Sequence, residues 1–172
     1  MPAAGLSEQV SAAGAEACGT GNLKLGLNGA LTIATRDGAN GETAAAVGEV
    51  NIFMFGPVHE ELASHRNRRP GVDLVTQNPD MSEAFEMIRG GHFNPDRDLY
   101  LPLLAGLLAD DRYMVLSDYA AYGARQADVD LAWRDGGWTR RAVLNVSALG
   151  PFSADRTVRD YARLVWDADP QA

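Results

Sequence analysis

The stretch EACGTGNLKLGLN, residues 16–28, carries the strongest signals for both fold and chemistry in this chain. Thr20 is a residue type that caps helices, and the run that follows it predicts a short helix reaching Leu27. Gly29 is placed to end that helix, because glycine readily adopts the backbone conformation found just beyond a helix C-terminus. The stretch therefore predicts a glycine-bounded helical turn.

The start of this helix is also a candidate anion site. Gly19 and Gly21 have no side chains to block approach to the backbone amides, which attract a phosphate group. Lys24 follows Thr20 by four residues and shares its helix face, so a phosphate held there would have an amine nearby. The stretch satisfies neither the GxxxxGK[ST] nor the GxGxxG pattern. A structural glycine turn with a surface lysine remains an open alternative.

Two short runs beyond this helix have the composition of buried strands. ALTIAT at residues 30–35 and NIFMF at residues 51–55 are rich in branched and aromatic side chains and are bounded by Gly and Asp. Between them, residues 42–47 are alanine-rich and precede Gly48, which predicts a short helix. A strand, a helix and a second strand imply a parallel crossover. Residues 7–11 fit either a strand or a helix start.

The clearest helical periodicity lies near residue 160. Apolar side chains there follow the spacing of one helix face, and Ser153 is placed to cap the helix. The members of this face are Val158, Tyr161, Ala162, Val165 and Trp166. The pattern predicts a helix that buries one side.

Other segments of the second half also favour helices. One contains Tyr119, Tyr122, Gln126 and Val129 and is predicted to be capped by Asp118. Another covers residues 138–149 and is stopped by Gly150, and weaker patterns cover residues 82–89 and 99–109. Residues 57–80 lack periodicity and predict a solvated loop. Trp133, Trp138 and Trp166 are predicted to be core or helix-docking residues.

Composition excludes several classes of function. The chain has 172 residues, which suits one domain, and its formal charge of −8 argues against nucleic-acid or anionic-membrane partners. Cys18 is the only cysteine, so no internal disulfide is expected. The first residues do not resemble a secretory signal, and no apolar run is long enough to cross a membrane. His59 and His65 are six apart, which does not fit a helical metal pair. These features predict a cytoplasmic protein that binds no metal.

The motifs together resemble those of the α-1,4-glucan phosphorylases, the glycogen and maltodextrin phosphorylases. The resemblance begins with SEQ at residues 7–9, includes residues 16–28 and continues through GALTIATRDGAN at residues 29–40. It extends to NIFMFG at 51–56, SDYAAYGARQADVD at 117–130, WTRRAVLN at 138–145 and FSADRTVRDYARLVW at 152–166. The chain thus looks like the C-terminal part of such an enzyme.

The resemblance implies a fold and an organisation. It implies an α/β fold that is part of the Rossmann-like C-terminal domain of a GT-B glycosyltransferase, followed by a helical section. The whole chain, residues 1–172, would be one C-terminal fragment of the catalytic domain. Within it, residues 1–56 would form the cofactor-binding α/β part, residues 57–80 a loop and residues 81–172 the mostly helical part.

The resemblance also assigns a cofactor. The lysine at the position of Lys24 carries pyridoxal phosphate covalently in this family, and the residues matching Thr20 and Gly21 lie at the cofactor phosphate. That phosphate, rather than the ring, is held to relay a proton to the attacking orthophosphate. Lys24 would therefore act mainly as an anchor.

The substrate contacts follow in the same way. Residues matching Glu16, Cys18 and Gly19 contact the glucosyl unit in the family, although serine is commonest at the position of Cys18. The implied reaction is the reversible phosphorolysis of terminal α-1,4 bonds of a glucan by orthophosphate, which releases α-glucose 1-phosphate.

Family members are several times longer than this chain, which predicts that its partner is the missing N-terminal portion of a phosphorylase. The isolated chain is then expected to be marginally stable and catalytically inactive, and a homo-oligomer is compatible with the resemblance. The alternative interpretation is a truncated, inactive module that binds pyridoxal phosphate or serves interaction.

Overall fold

A computed structural model describes residues 4–11, 19–58, 61 and 71–169. In this part of the chain three strands alternate with helices in the first half, and helices alone make up the second half. The strands are β1 (Leu6–Gln9), β2 (Leu31–Thr35) and β3 (Phe53–Phe55). The helices are α1 (Gly21–Leu27), α2 (Ala39–Val47), α3 (Gly71–Gln77), α4 (Pro79–Arg89), α5 (Leu101–Ala109), α6 (Val115–Arg134), α7 (Trp138–Ala148) and α8 (Ala154–Leu164). Two short 3-10 turns cover Glu49–Asn51 and Gly150–Phe152.

The strands form a parallel sheet in the order β1-β2-β3. Leu6 lies opposite Leu31, and Ile33 lies opposite Phe53. Helices α1 and α2 are the two crossovers, as parallel neighbours require. All of β2 is buried, including Thr32 and Thr35, as expected for a middle strand that is covered on both faces. The predicted α/β crossover is confirmed, and the ambiguous residues 7–11 contribute a strand.

Each face of the sheet has its own core cluster, because successive strand residues point to opposite sides. The first cluster joins alternate residues of β2 and β3 to α6 and contains Leu31, Ile33, Phe53, Phe55, Val129 and Ala132. The second lies against α2 and the end of α7 and contains Ala34, Ala44, Val47, Ile52, Met54 and Leu149. The sheet is therefore a middle layer between helices.

A third cluster lies among the helices of the second half. It contains Val75, Met81, Phe85, Leu104 and Leu116, from α3, α4, α5 and the start of α6. The prediction of a loop over residues 57–80 is therefore wrong at its end, because α3 and the first residues of α4 lie there. Helix α3 was missed because its stability depends on packing against distant residues.

The predicted helix ends agree with the structure in part. Ser153 caps α8 by accepting a hydrogen bond from the Arg156 amide at 3.3 Å, and Gly150 follows the end of α7 as expected. The predicted cap at Asp118 is wrong, since α6 begins at Val115 and Asp118 lies in its first turn. Asp111 instead accepts hydrogen bonds from early amides of α6, including a 2.8 Å bond from Ser117.

The apolar stripe of α8 forms the predicted helix without the predicted burial. Only Ala162 of the helix is buried, and Trp166 just beyond it is 63% exposed and contacts Tyr161, so the core interpretation is wrong for Trp166. Trp138 packs on Phe53, and Trp133 contacts Trp138 with ring centroids 4.9 Å apart. These two tryptophans dock α6 and α7 onto each other and the sheet, which agrees with the helix-docking interpretation; Trp133 is itself 62% exposed, so the core interpretation is wrong for it as well.

None of the described helices is both long and apolar enough to cross a membrane.

Candidate functional site

Helix α1 connects β1 to β2 and presents the residues that the sequence singled out. Its first hydrogen bond runs from the Lys24 amide to the Thr20 carbonyl at 3.1 Å. Thr20 occupies the N-cap position, but its side chain makes no capping bond because its backbone is already helical, with φ −90° and ψ −8°. The predicted helix start is confirmed, and the predicted cap by the Thr20 hydroxyl is wrong. That hydroxyl lies on an exposed residue.

The helix has two opposite faces. Asn22 and Gly26, four residues apart, are buried against the rest of the protein. Thr20 and Lys24, also four apart, are exposed on the other side. Lys24 thus extends its amine away from the core, on the same face as Thr20.

The helix ends tightly and leads directly into β2. The amides of Asn28 and Gly29 donate to the carbonyls of Leu25 and Gly26, each at 3.0 Å. Gly29 has φ +91°, a conformation that favours glycine, so its predicted role at the helix end is confirmed. The Asn28 side chain also donates to the Lys24 carbonyl at 2.7 Å. Lys24 is therefore held in a short, closed segment.

Gly21 faces the carboxyl end of β1. A Cβ built on Gly21 would lie 3.7 Å from the amide group of Gln9, which is ordinary contact. Gln9 in turn donates to the buried Ser7 hydroxyl at 2.8 Å. The described neighbours therefore do not require glycine at this position.

Two buried amide side chains anchor the inner face of α1. Asn22 Nδ2 donates to Asn40 Oδ1 at 2.9 Å, and Asn40 Nδ2 donates to the Thr35 carbonyl at 3.1 Å. No sequence motif marks either residue as functional. The sequence held one signal for Asn22: it is a polar residue on the helix face where a buried apolar residue is expected.

A further concavity of about 270 Å³ opens at the carboxyl edge of the sheet. Its wall includes Ser11 after β1, Thr35 of β2, Phe55 of β3 and two tyrosines of α6, Tyr119 and Tyr122. Open α/β sheets bind ligands at this edge. Lys24 does not line this concavity, so it is separate from the surface that carries the amine.

The structure describes four of the six predicted site residues. Gly19 and Thr20 directly precede α1, Gly21 is its first residue, and Lys24 lies one turn after Thr20. Glu16 and Cys18, the predicted sugar contacts, lie outside the described residues. No group of three or more His, Cys, Asp or Glu side chains suited to a metal ion occurs within the described ranges.

Lys24 carries the only lysine amine of this chain. The chain has 15 Lys and Arg residues, and Lys24 is the only lysine among them. Arginine serves for surface charge and ion pairs but does not form a covalent carbon–nitrogen link with an aldehyde under mild conditions, whereas a lysine amine does. This single lysine lies on the exposed outer face of α1.

Comparison with known proteins gives a consistent result. The family model of the carbohydrate phosphorylases matches residues 1–168. Brain glycogen phosphorylase of Ovis aries is 43% identical over 175 residues, which is 100% of this chain and 21% of the relative. Glycogen phosphorylase of Synechocystis is 43% identical, covering 98% of this chain and 20% of the relative. That of Chlamydia pneumoniae is 40% identical, with 96% and 20% covered.

The chain therefore spans about a fifth of the length of the curated relatives that it matches. The family match itself covers nearly every residue of the chain, including α1 and the helices that follow it. From the sheet, the exposed lysine and these matches we conclude that this chain belongs to the carbohydrate phosphorylase family.

Proposed function

We propose that this chain is the C-terminal catalytic segment of an α-1,4-glucan phosphorylase, a glycosyltransferase of glycogen or maltodextrin catabolism. The reaction is the reversible phosphorolysis of terminal α-1,4-glucosidic bonds, with orthophosphate as co-substrate and α-glucose 1-phosphate as product. The parallel sheet with helical crossovers fits part of a GT-B C-terminal domain. The observation that carries the proposal is the placement of the only lysine, Lys24, on an exposed face of α1 in a chain of this family.

The residues at the start of α1 fit pyridoxal phosphate. Lys24 provides a solvent-accessible amine for covalent attachment of its aldehyde. Thr20 offers an exposed hydroxyl one turn earlier, and Gly21 offers approachable backbone for the phosphate. When bound, the cofactor supplies a phosphate that exchanges a proton with the substrate orthophosphate. Lys24 anchors it, while Thr20 and Gly21 orient that phosphate.

The sugar contacts are proposed for Glu16, Cys18 and Gly19. All three precede Gly21 within five residues, so they lie next to the proposed phosphate contacts in the chain. A glutamate and a thiol can hydrogen-bond sugar hydroxyls, and the glycine offers a backbone amide. Cys18 is a weaker partner than the serine commonest at this position, so we expect weaker sugar affinity rather than loss of cofactor binding.

We further propose that turnover requires the rest of a phosphorylase polypeptide. Phosphate transfer needs several cations placed around the developing negative charge. Lys24 is committed to anchoring, and Lys24 is the only basic side chain between Gly19 and Gly29. A second candidate function, an inactive cofactor-binding or interaction module, is favoured by the length alone, since the chain spans a fifth of its relatives.

The cofactor site is tested by trapping. The chain is incubated with pyridoxal phosphate, reduced with borohydride and mapped by peptide mass spectrometry. We expect one side-chain adduct, at Lys24, that is lost in Lys24→Arg, a variant that keeps the charge. Because no other lysine exists, the only competing amine is the chain's amino terminus. An adduct confined to the amino terminus, or undiminished in Lys24→Arg, would overturn the proposed site.

The catalytic role is tested by complementation. Release of glucose 1-phosphate from maltoheptaose is measured with phosphate and cofactor, for the chain alone and after adding a polypeptide that supplies the remaining phosphorylase sequence. We expect activity only in the mixture, and none with Lys24→Arg. A mixture that forms a complex but stays inactive would favour the inactive module.

A further inference from the structure

We infer that the buried Asn22–Asn40 pair is a positioning device that sets the rotation of α1 and thereby the direction of the Lys24 side chain. This inference rests on the proposed function for its biological meaning, although its geometry can be tested separately. Asn22 is 2% exposed and Asn40 is 3% exposed. Neither residue touches the outer face of α1, so both act through Lys24's helix and are positioning residues.

The pair belongs to a directed chain of hydrogen bonds. The Leu23 amide donates to Asn22 Oδ1 at 2.7 Å, which turns Asn22 Nδ2 toward Asn40 Oδ1 at 2.9 Å. Asn40 Nδ2 then faces the Thr35 carbonyl at 3.1 Å. Each bond fixes the orientation of the next amide, because an amide has its donor and acceptor on opposite branches. The chain links α1, the first turn of α2 and the carboxyl end of β2.

Helix α1 needs such a device because it is too short to be stable alone. It has seven residues, whereas isolated helices of that length do not persist in water. Helix α1 is also held at Leu23, which packs against the second core cluster, and at Gly26, where a Cβ would lie 2.5 Å from Leu149 Cδ1. The Gly26 contact sets how closely α1 approaches α7, and the apolar Leu23 contact is not directional. The hydrogen bonds at Asn22 are directional, and we infer that they fix the rotation of α1.

Rotation at Asn22 is transmitted to Lys24. The two residues are two positions apart, which places them about 200° apart around the helix axis. A helix with its side chains has a radius of about 5–6 Å, so a rotation of about 20° moves an outer-face side chain by about 2 Å. Displacements of about 1 Å already impair a reacting group. The inner amide pair therefore controls the outer amine.

The geometry is tested with spin labels, without any cofactor. Nitroxides are placed at Lys24→Cys and at Glu42→Cys, an exposed position on α2, in a Cys18→Ser background that removes the only native cysteine. We expect one narrow distance distribution with the pair intact. Asn22→Ala or Asn40→Ala should shift or broaden it by about 2 Å. An unchanged distribution in folded alanine variants would overturn the inference.

A matched control separates positioning from general stability. Asn145 is also 3% exposed, and its side chain donates to the Asn51 carbonyl at 3.0 Å rather than to α1. Asn145→Ala should destabilise the fold without changing the label distance. A change in Asn145→Ala equal to that in Asn40→Ala would show a purely structural effect and overturn the inference.

Charge variants cover the case in which the alanine variants do not fold. Asn40→Asp keeps the acceptor for Asn22 Nδ2 and sets an oxygen against the Thr35 carbonyl, on the side of the sheet. Asn22→Asp sets two oxygens against each other at the bond that reaches α1. We expect the label distance to change more in Asn22→Asp than in Asn40→Asp. Equal or reversed changes would contradict the hydrogen-bond direction on which the inference depends.

The consequence for the cofactor is measured in the lysine-containing chain. Spectral titration with pyridoxal phosphate should show binding about tenfold or more weaker in Asn22→Ala than in Asn145→Ala. Failure of the wild-type chain to form the Lys24 adduct would count against the proposed cofactor site, whereas the label distances judge the inference itself. Equal affinities in the two variants would overturn the positioning role.

Discussion

The sheet buries its apolar side chains, whereas the last helix exposes most of its own. Leu31 and Ile33 of β2 are fully buried between two helical layers. On α8, Leu164 is 74% exposed, and Tyr161 and Val165 are also largely exposed. Both elements were predicted from apolar patterning. Patterning thus identifies a helix or strand, but whether its apolar face is buried depends on which other elements pack against it.

The difference separates a region whose apolar side chains are covered by helices of the same chain from one whose apolar face is open to solvent. Every strand of the sheet is packed by helices from the same chain, and its crossovers close within about fifty residues. Helix α8 makes few contacts and exposes a continuous apolar stripe of the kind that marks interaction surfaces. In a chain that spans a fifth of its relatives, the proposed remainder of the phosphorylase is the partner that we expect to complete the second region.

The largest expected effect contrasts truncation in the two regions. Ile33→Ala removes a fully buried side chain from the middle strand, so the free energy of unfolding should fall by about 2–5 kcal/mol. Leu164→Ala removes a side chain that is already mostly in water, and its effect should stay within about 0.5 kcal/mol. Urea unfolding followed by circular dichroism measures both. A comparable loss in both variants would mean that α8 is covered in solution.

The second effect contrasts two helical glycines. Gly26→Ala places a Cβ 2.5 Å from Leu149, a side chain that is itself buried and cannot move aside, so the loss should be about 1–3 kcal/mol. Gly123→Ala in α6 has nothing within 4 Å of the new Cβ and should stabilise the fold by up to about 1 kcal/mol. Unfolding midpoints under one condition compare them. If both substitutions change the stability in the same direction, α1 does not pack against Leu149 as closely as the structure shows.

Local sequence signals predicted much of the first region. The extent of α1, the conformation of Gly29 and strands β2 and β3 follow from residue types within a few positions of each other. The same is true of the Ser153 cap, because the capping side chain and its amide partner are three residues apart. The roles of Thr20, Gly21 and Lys24 come from the resemblance and stay predictions; the structure places Thr20 and Lys24 one turn apart on the exposed face of α1.

Long-range contacts explain what the sequence could not provide. Helix α3 lacks a clear pattern, but Gly71 lies against the backbone of Leu107 and Val75 joins the third core cluster. The Asn22–Asn40 pair joins residues eighteen positions apart, and no local rule assigns such a partner. Periodicity likewise did not give the exposure of α8, because it does not state what covers a face.

The smallest expected effect concerns the contact between the sheet and α6, the helix that packs on it. Tyr122 of α6 donates a hydrogen bond to Glu8 of β1 at 3.1 Å and accepts one from Gln126 at 2.7 Å. Its ring also contacts Phe55 edge-on, a contact that phenylalanine would keep. Tyr122→Phe should therefore cost only the hydrogen bonds, about 0.5–1.5 kcal/mol at neutral pH.

The pH dependence sharpens this prediction. Burial raises the pKa of Tyr122 above its ordinary value of 10.0; the hydrogen bond from Gln126 lowers it in part, and the hydrogen bond to Glu8 and the charge of Glu8 raise it again. The folded state thus holds the phenolic proton more tightly than the unfolded state does. The stabilisation is fully present below pH 10.0 and is lost as the pH rises through the higher folded-state pKa.

Wild-type stability should consequently fall more steeply than that of Tyr122→Phe above that pH. Urea midpoints from neutral to strongly alkaline pH measure the slopes, with Tyr161→Phe, which removes an exposed hydroxyl on α8, as the control that should follow the wild type. Parallel slopes for wild type and Tyr122→Phe would mean that the Tyr122–Glu8 bond does not join the helical region to the sheet in solution.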